Sequence, residues 1–142
     1  MKKLILLAAI AGLFTQSHAQ QMKCKHVPAA AKAAFHKDHP DVKDIDWSKD
    51  GVNFEAGYED SKIEMSATYS PEGKLIETEM GIPAASLPKA VMEYIKMHYK
   101  EDEVKEASKI TSASGVVTYE AELKGLDLIF DADGKFLKST KS

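Results

Sequence analysis

The same proline-led segment occurs twice in this chain, sixty residues apart. The second copy is the clearer. Leu87, Ala90, Val91, Tyr94, Ile95 and His98 recur at helical spacing and form one stripe, and Pro88 stands in the first turn, where its missing N–H is not needed. In the first copy Val27, Ala30, Ala31, Ala34 and Phe35 hold the phases of the first five stripe residues, around Pro28. The echo continues downstream. Val42-Lys43-Asp44 answers to Val104-Lys105-Glu106, and Phe54-Glu55-Ala56 to Tyr119-Glu120-Ala121. Tyr69-Ser70-Pro71-Glu72-Gly73-Lys74-Leu75 answers to Phe130-Asp131-Ala132-Asp133-Gly134-Lys135-Phe136. Two copies are too few for a solenoid. A unit of about fifty to sixty residues is marginal as an independent core, so the halves are expected to share one core or to pack closely.

The chain begins Met1-Lys2-Lys3, continues with an apolar run from Leu4 to Phe14, and reaches Ser17-His18-Ala19. A basic start, a short apolar stretch and a small-x-small exit read as a secretory signal peptide cleaved after Ala19. The run is shorter than a membrane span requires. Removing Lys2 and Lys3 takes the formal charge from −3 to −5. An acidic chain of this kind lacks the basic footprint of a nucleic-acid binder, and no later segment is apolar for long enough to span a bilayer. The single cysteine, Cys24, cannot close an internal disulfide. Gln21-Met22-Lys23 before it lacks the small apolar residues of a lipidation site. The expected location is therefore the periplasm or the exterior.

Within the mature chain, helix one is expected from about Pro28 to His39, ended by Pro40. Val42 to Trp47 reads as a short strand and Ser48 to Gly51 as a turn. Val52 to Tyr58 and Ile63 to Tyr69 alternate apolar and polar residues, the period of half-buried strands, and form a hairpin through Glu59 to Lys62. Leu75 to Met80 closes the first sheet, and Ser86 is placed to cap helix two. In the second half Val104 to Ile110, Val117 to Leu123, Leu126 to Phe130 and Lys135 to Lys138 read as strands. The organisation is thus 1–19 signal, 20–26 flexible lead-in, 27–80 first repeat, 81–86 linker, 87–138 second repeat and 139–142 tail. The fold class is α+β, in two tandem repeats, each one helix followed by a small antiparallel meander sheet. The expected core is Val27, Ala31, Phe35, Trp47, Phe54, Tyr58, Met65 and Tyr69 in the first half. In the second it is Val91, Tyr94, Ile95, Tyr119, Leu123, Leu128 and Phe130.

These motifs resemble a known family. The Val-Pro-Ala-x-x-Lys-x-x-Phe opening ending in His39-Pro40, the Phe/Tyr-Glu-Ala strands, the Asp131-x-x-Gly134-Lys135 turn and the Leu-Pro-x-x-Val-x-x-Tyr-Ile helix look like the PepSY-like secreted proteins of Bacteroidetes, related in fold to beta-lactamase inhibitor protein. The resemblance runs from about Val27 to Lys138, and departs at Tyr99-Lys100, where the family has a second Tyr-Pro. It implies tandem helix-plus-sheet modules and a binding or inhibitory role. It brings no catalytic residue, and a shared fold does not carry a function.

Among the residues themselves, His36 and His39 with Asp38 between them could join His26 or His98 in a zinc or copper site. The plainer alternative is exposed polar residues at a helix C-terminus. Asp131-Ala132-Asp133-Gly134 resembles the start of a calcium loop, but Lys135 and Phe136 follow where further oxygen ligands are needed, so a hairpin turn is expected. No G-x-S-x-G, H-E-x-x-H or phosphate-cradling glycine loop is present. No catalytic residue, metal ligand or cofactor is assigned. Alternation puts Asn53, Glu55, Gly57, Glu64, Ser66, Thr68, Thr118, Glu120, Glu122 and Asp127 on the sheet face away from the helices. Like charges on neighbouring strands repel, and a basic partner relieves that repulsion. The candidate ligand-binding residues are Glu55, Glu64, Thr68, Glu120, Glu122 and Asp127. The expected function is a secreted or periplasmic non-catalytic binding protein that engages a protein or peptide through this acidic face. The alternative is a periplasmic metal- or cation-binding protein using His36, His39 and sheet carboxylates.

Overall fold

The computed structural model describes residues 26–100 and 102–141. The signal segment, Cys24 and most of the lead-in lie outside the described residues. Helix α1 (Ala29–Asp38) is followed by strands β1 (Asp46–Asp50), β2 (Asn53–Asp60), β3 (Ile63–Tyr69) and β4 (Leu75–Ile82). A short 3-10 turn (Ala84–Ser86) leads to helix α2 (Lys89–His98) and strands β5 (Glu106–Ser112), β6 (Val117–Leu123), β7 (Leu126–Asp131) and β8 (Phe136–Thr140). The eight strands form one antiparallel sheet in chain order.

The sheet is continuous through its middle. Strands β4 and β5 pair over six positions, from Glu77 opposite Ser112 to Ile82 opposite Ala107, although α2 separates them in sequence. Both helices lie on one face. Ala31 and Phe35 of α1 pack on Phe54, Ala56, Tyr58, Ala67 and Tyr69. Val91 and Ile95 of α2 pack on Ala107, Ala121, Leu123, Leu128 and Phe130. All fifteen expected core residues fall in these two clusters. The alanines opposite each helix were not expected. Ala56, Ala67 and Ala121 are wholly buried, and a methyl in mid-sheet lets a helix approach closely enough to exclude voids. Of the two expected arrangements the halves take close packing: they share one sheet, with a separate apolar cluster beneath each helix.

Several boundaries shift, each because strand pairing outweighs local turn chemistry. Strand β1 is not Val42 to Trp47. It runs to Asp50, which pairs with Asn53 across a two-residue turn, while Val42 and Ile45 pack on the first core from a loop. Strand β5 starts at Glu106, and Val104 packs outside the ladder. Gly81 and Ile82, read as linker, belong to β4 and pair with Ser108 and Ala107. Ser139 and Thr140, read as tail, pair with Leu128 and Asp127. Ser86 does not cap α2; Pro88 occupies that position without a side-chain hydrogen bond.

The turns after β3 and β7 are built alike. Ser70 N donates to Lys74 O at 2.8 Å and Gly73 N to Ser70 O at 2.9 Å. Asp131 N donates to Lys135 O at 2.9 Å and Gly134 N to Asp131 O at 3.0 Å. Asp131 Oδ1 also accepts from Asp133 N and Lys135 N, at 3.0 and 2.8 Å, so the calcium-like sequence serves as a hairpin turn. Each turn touches the start of its helix. Gly73 has φ +83°, and a Cβ there would lie 2.6 Å from Ala30 O. Gly73→Ala is therefore expected to lose about 2 kcal/mol or more, from left-handed strain plus a backbone clash. Gly51→Ala, at φ +56° with nothing within 4 Å, meets only the strain of about 1–2 kcal/mol. Urea denaturation of both variants compares them; equal losses would discount the turn-to-helix contact.

Candidate functional site

The strand register decides which side chains face away from the helices. Ser48 lies opposite Glu55, Glu55 opposite Thr68, Thr68 opposite Glu77 and Ser66 opposite Glu79. Gly81 lies opposite Ser108, Ser108 opposite Glu120 and Glu122 opposite Asp127. Carboxylates reach this face from seven strands: Asp50 on β1, Glu55 on β2, Glu64 on β3, Glu77 and Glu79 on β4, Glu106 on β5, Glu120 and Glu122 on β6, and Asp127 on β7. Strand β8 contributes Lys138, opposite Ile129.

No described element covers the face, yet much of it is inaccessible. Ser66, Thr68 and Asp127 are each 3% exposed, Glu120 and Ser108 7%, Glu55 8% and Glu79 9%. Side chains on an uncovered sheet lose solvent in this way when the sheet coils toward them, and an antiparallel sheet of eight twisted strands does so. The polar face is concave. All six candidate residues lie on it. Glu55, Thr68, Glu120 and Asp127 are buried in the concavity, Glu122 is half-buried and Glu64 is exposed at its edge.

Glu77, Glu79 and Ser108 were not singled out in the sequence. Leu75 to Met80 reads as the last strand of a small sheet, where its glutamates would be solvated. Pairing with β5 moves it to the middle of a large one. The alternation of β4 carried the signal for Glu77 and Glu79, but burial depended on a neighbour that local pattern does not name.

Electrostatics follow from this geometry. Burial pushes the Glu79 carboxyl up to about 8, and the charges of Glu55, Glu77 and Asp127 add to the rise. Burial pushes Glu120 up to about 9, assisted by Glu79, Asp127, Glu122 and Glu77. Glu55 is raised by burial, partly offset by Ser66 and by Ser48, whose Oγ donates to Glu55 Oε2 at 3.3 Å. Glu77 is raised by burial and by Asp50 and Glu55, with Lys138 opposing. Taking a carboxylate out of water beside others of its kind disfavours the charged form, so Glu79 and Glu120 ionise less readily than a solvated glutamate.

Between β3 and β6 the concavity deepens into a cleft of about 440 Å³, lined by Glu64, Ser66, Glu79, Gly81, Ser108, Glu120 and Glu122, with Lys62 and Lys105 also at its walls. Ser108 Oγ is buried and lies close enough to Glu79 to favour the ionised form, but makes no hydrogen bond of good geometry.

The histidines lie elsewhere. His39 packs against Phe35 and Tyr58, each with ring centroids 4.8 Å away, and its Nε2 lies 3.4 Å from Tyr58 Oη. Tyr69 donates to Asp38 Oδ2 at 3.0 Å. His36 and His98 are exposed. Among the described residues no group of three or more His, Cys, Asp or Glu side chains is placed to hold a metal ion.

The sequence pattern of the beta-lactamase-inhibitor-like, PepSY-like family matches residues 64–138, more than half of the chain. The chain belongs to this family. The match spans the cleft and the second half, from β3 through β8. Solved structures similar to this PepSY-like protein come from Bacteroides. One from Bacteroides eggerthii, provisionally described as periplasmic, has a TM-score of 0.72 at 14% identity, covering 82% of this chain and 89% of its own. A DUF2874 family protein from Bacteroides ovatus has a TM-score of 0.69 at 14% identity over 82% and 88% of the two chains. A BLIP-like protein from Bacteroides fragilis has 0.62 at 20% identity over 80% and 86%. Those identities make the likeness one of fold: α+β, with two helices on one face of an eight-stranded antiparallel sheet. No curated protein matches the chain in sequence. Among the described residues no helix is long and apolar enough to cross a membrane.

Proposed function

We propose that this PepSY-like protein is an exported, non-catalytic binding protein whose concave acidic face engages a basic protein or peptide. The observation that carries this reading is a sheet face left open by every described element and lined with carboxylates from seven strands. Such a surface is poorly solvated and self-repelling, and complementary charge relieves both penalties. Residues 1–19 are the export signal, removed after Ala19, and the periplasmic description of the Bacteroides eggerthii protein agrees with that destination. The two halves are repeats of one helix-and-four-strand unit. Burial follows the same order over 31–40 as over 91–100, and the turns after β3 and β7 share their hydrogen bonds.

The test is capture of a partner from periplasmic extract by the native chain and by a variant with Glu55, Glu64, Glu120 and Glu122 changed to Gln. The expected result is a basic partner retained by the native chain, lost from the variant, and released as salt is raised. Equal retention by both would move the site to the helices or loops.

A further inference from the structure

The cleft between β3 and β6 has a chemistry more specific than the face around it. Its floor is Gly81, which offers no side chain beside Ser108. Its inner walls carry Glu79 and Glu120, and every charged group acting on these two is another carboxylate. Lys105 acts instead on Glu122. Ser108 lines the cleft and is more than nine-tenths buried, and its Oγ, although near Glu79, makes no hydrogen bond of good geometry. A buried hydroxyl without a partner is unfavourable, and natural interiors rarely tolerate one unless something else completes it. The carboxyls without a cationic neighbour and the poorly satisfied hydroxyl beside them both call for an absent cationic donor, which would favour their ionised forms and complete the hydroxyl.

The donor set selects among cations. Among the described residues no three ligand side chains converge as a metal ion needs. Two carboxyl groups and one hydroxyl oxygen offer three separated acceptors, which suits the three N–H bonds of an ammonium group better than the planar fork of a guanidinium. Ile63, Ile82 and Pro83 line the same cleft and supply an apolar wall for an alkyl stem.

We propose that this cleft receives the lysine side chain of a protein partner, its ammonium group lodged between Glu79, Glu120 and Ser108. This rests on the acidic-face reading above and deepens it. An alkylammonium group also occurs in free diamines, so the test separates the two sources.

A capped Gly-Gly-Lys-Gly-Gly peptide, its arginine and norleucine counterparts, and 1,5-diaminopentane are titrated into the isotope-labelled chain, with NMR following the amides of Gly81 and Ser108. The lysine peptide is expected to shift both amides to saturation, the arginine peptide to bind more weakly, and the norleucine peptide to shift neither. Gly81→Val fills the floor without changing charge, and Ser108→Ala removes the third acceptor; each is expected to weaken the lysine peptide about tenfold. Asp46→Asn, on the same face at the start of β1, opposite Gly57 and outside the cleft, changes it by no more than about twofold. The spectra also show whether each variant is folded, and Ser108→Ala stands if Gly81→Val is not. Weakening by Asp46→Asn as large as by Ser108→Ala would show diffuse attraction, overturning the cleft while leaving the acidic-face reading intact. Saturation by the diamine with the lysine peptide inert would overturn the partner's lysine as occupant and turn the acidic-face reading toward a small amine. No shift with either amine overturns the proposal outright.

Discussion

Raising the pH from 5 to 9.5 is expected to destabilise the folded protein by several kcal/mol, up to about 9 kcal/mol. Glu79 and Glu120 are raised from 4.5 to about 8 and about 9, with burial the largest cause in each. Between pH 4.5 and those values the folded chain holds protons that the unfolded chain has released. Stability then falls as pH rises, because the slope takes the sign of protons bound unfolded minus protons bound folded. The contribution is complete below about pH 4.5 and gone above about pH 9. Groups facing the pair from every neighbouring strand act in this direction or weakly against it. Glu55 on β2, Glu77 on β4 and Asp127 on β7 raise Glu79, and Glu122 beside Glu120 raises it too, while Ser108 on β5 slightly favours ionised Glu79. Urea midpoints at pH 5, 7 and 9.5 measure the slope. Glu79→Gln combined with Glu120→Gln is expected to flatten it and to exceed the native chain in stability at pH 9.5, since an amide keeps the polarity of a protonated carboxyl and has no proton to lose. A native stability that is flat or rising over this range would mean that the face is wetter than its burial indicates.

Phe35→Ala is expected to lose about 3–5 kcal/mol, the range for deleting a buried phenyl ring, against a whole-domain stability of about 5–15 kcal/mol. Phe35 is fully buried and meets Trp47, Tyr58 and Tyr69 edge-on, with centroids 5.8, 5.2 and 6.3 Å away. Those rings come from three strands, so collapse around the cavity needs all three to move. The two apolar clusters are separate, which makes the loss regional. Hydrogen exchange is expected to accelerate in β1–β3 before β6 and β7, as it does when cooperative units differ in stability. A loss under about 1 kcal/mol would be inconsistent with the cavity mechanism, and uniform acceleration would show that the shared sheet couples the clusters into one unit.

Much of this architecture was legible in the chain. The paired helix stripes led to both apolar clusters, and strand alternation put all six candidate residues on the face away from the helices. Ser70-Pro71-Glu72-Gly73 and Asp131-Ala132-Asp133-Gly134 marked their turns, because a glycine in left-handed geometry is a local requirement. Among the described residues the metal reading of His36 and His39 gained no third ligand, and His39 packs against Phe35 and Tyr58. Glu77 and Glu79 stayed hidden although β4 alternates around them, and Ser108 lies on β5, where Lys109 and Ile110 break the alternation.

The sequence by itself determined which side of each strand is apolar and where the helices start, both of which depend on periods of two or 3.6 residues. Only the tertiary structure decided that β4 and β5 join at the centre of one sheet, and that this sheet coils toward its polar face. A carboxyl's proton affinity depends on the water and charge around it, not on the residues beside it in the chain. Glu79 therefore became a buried wall of a cleft, its proton held more tightly, when β5 was laid beside it.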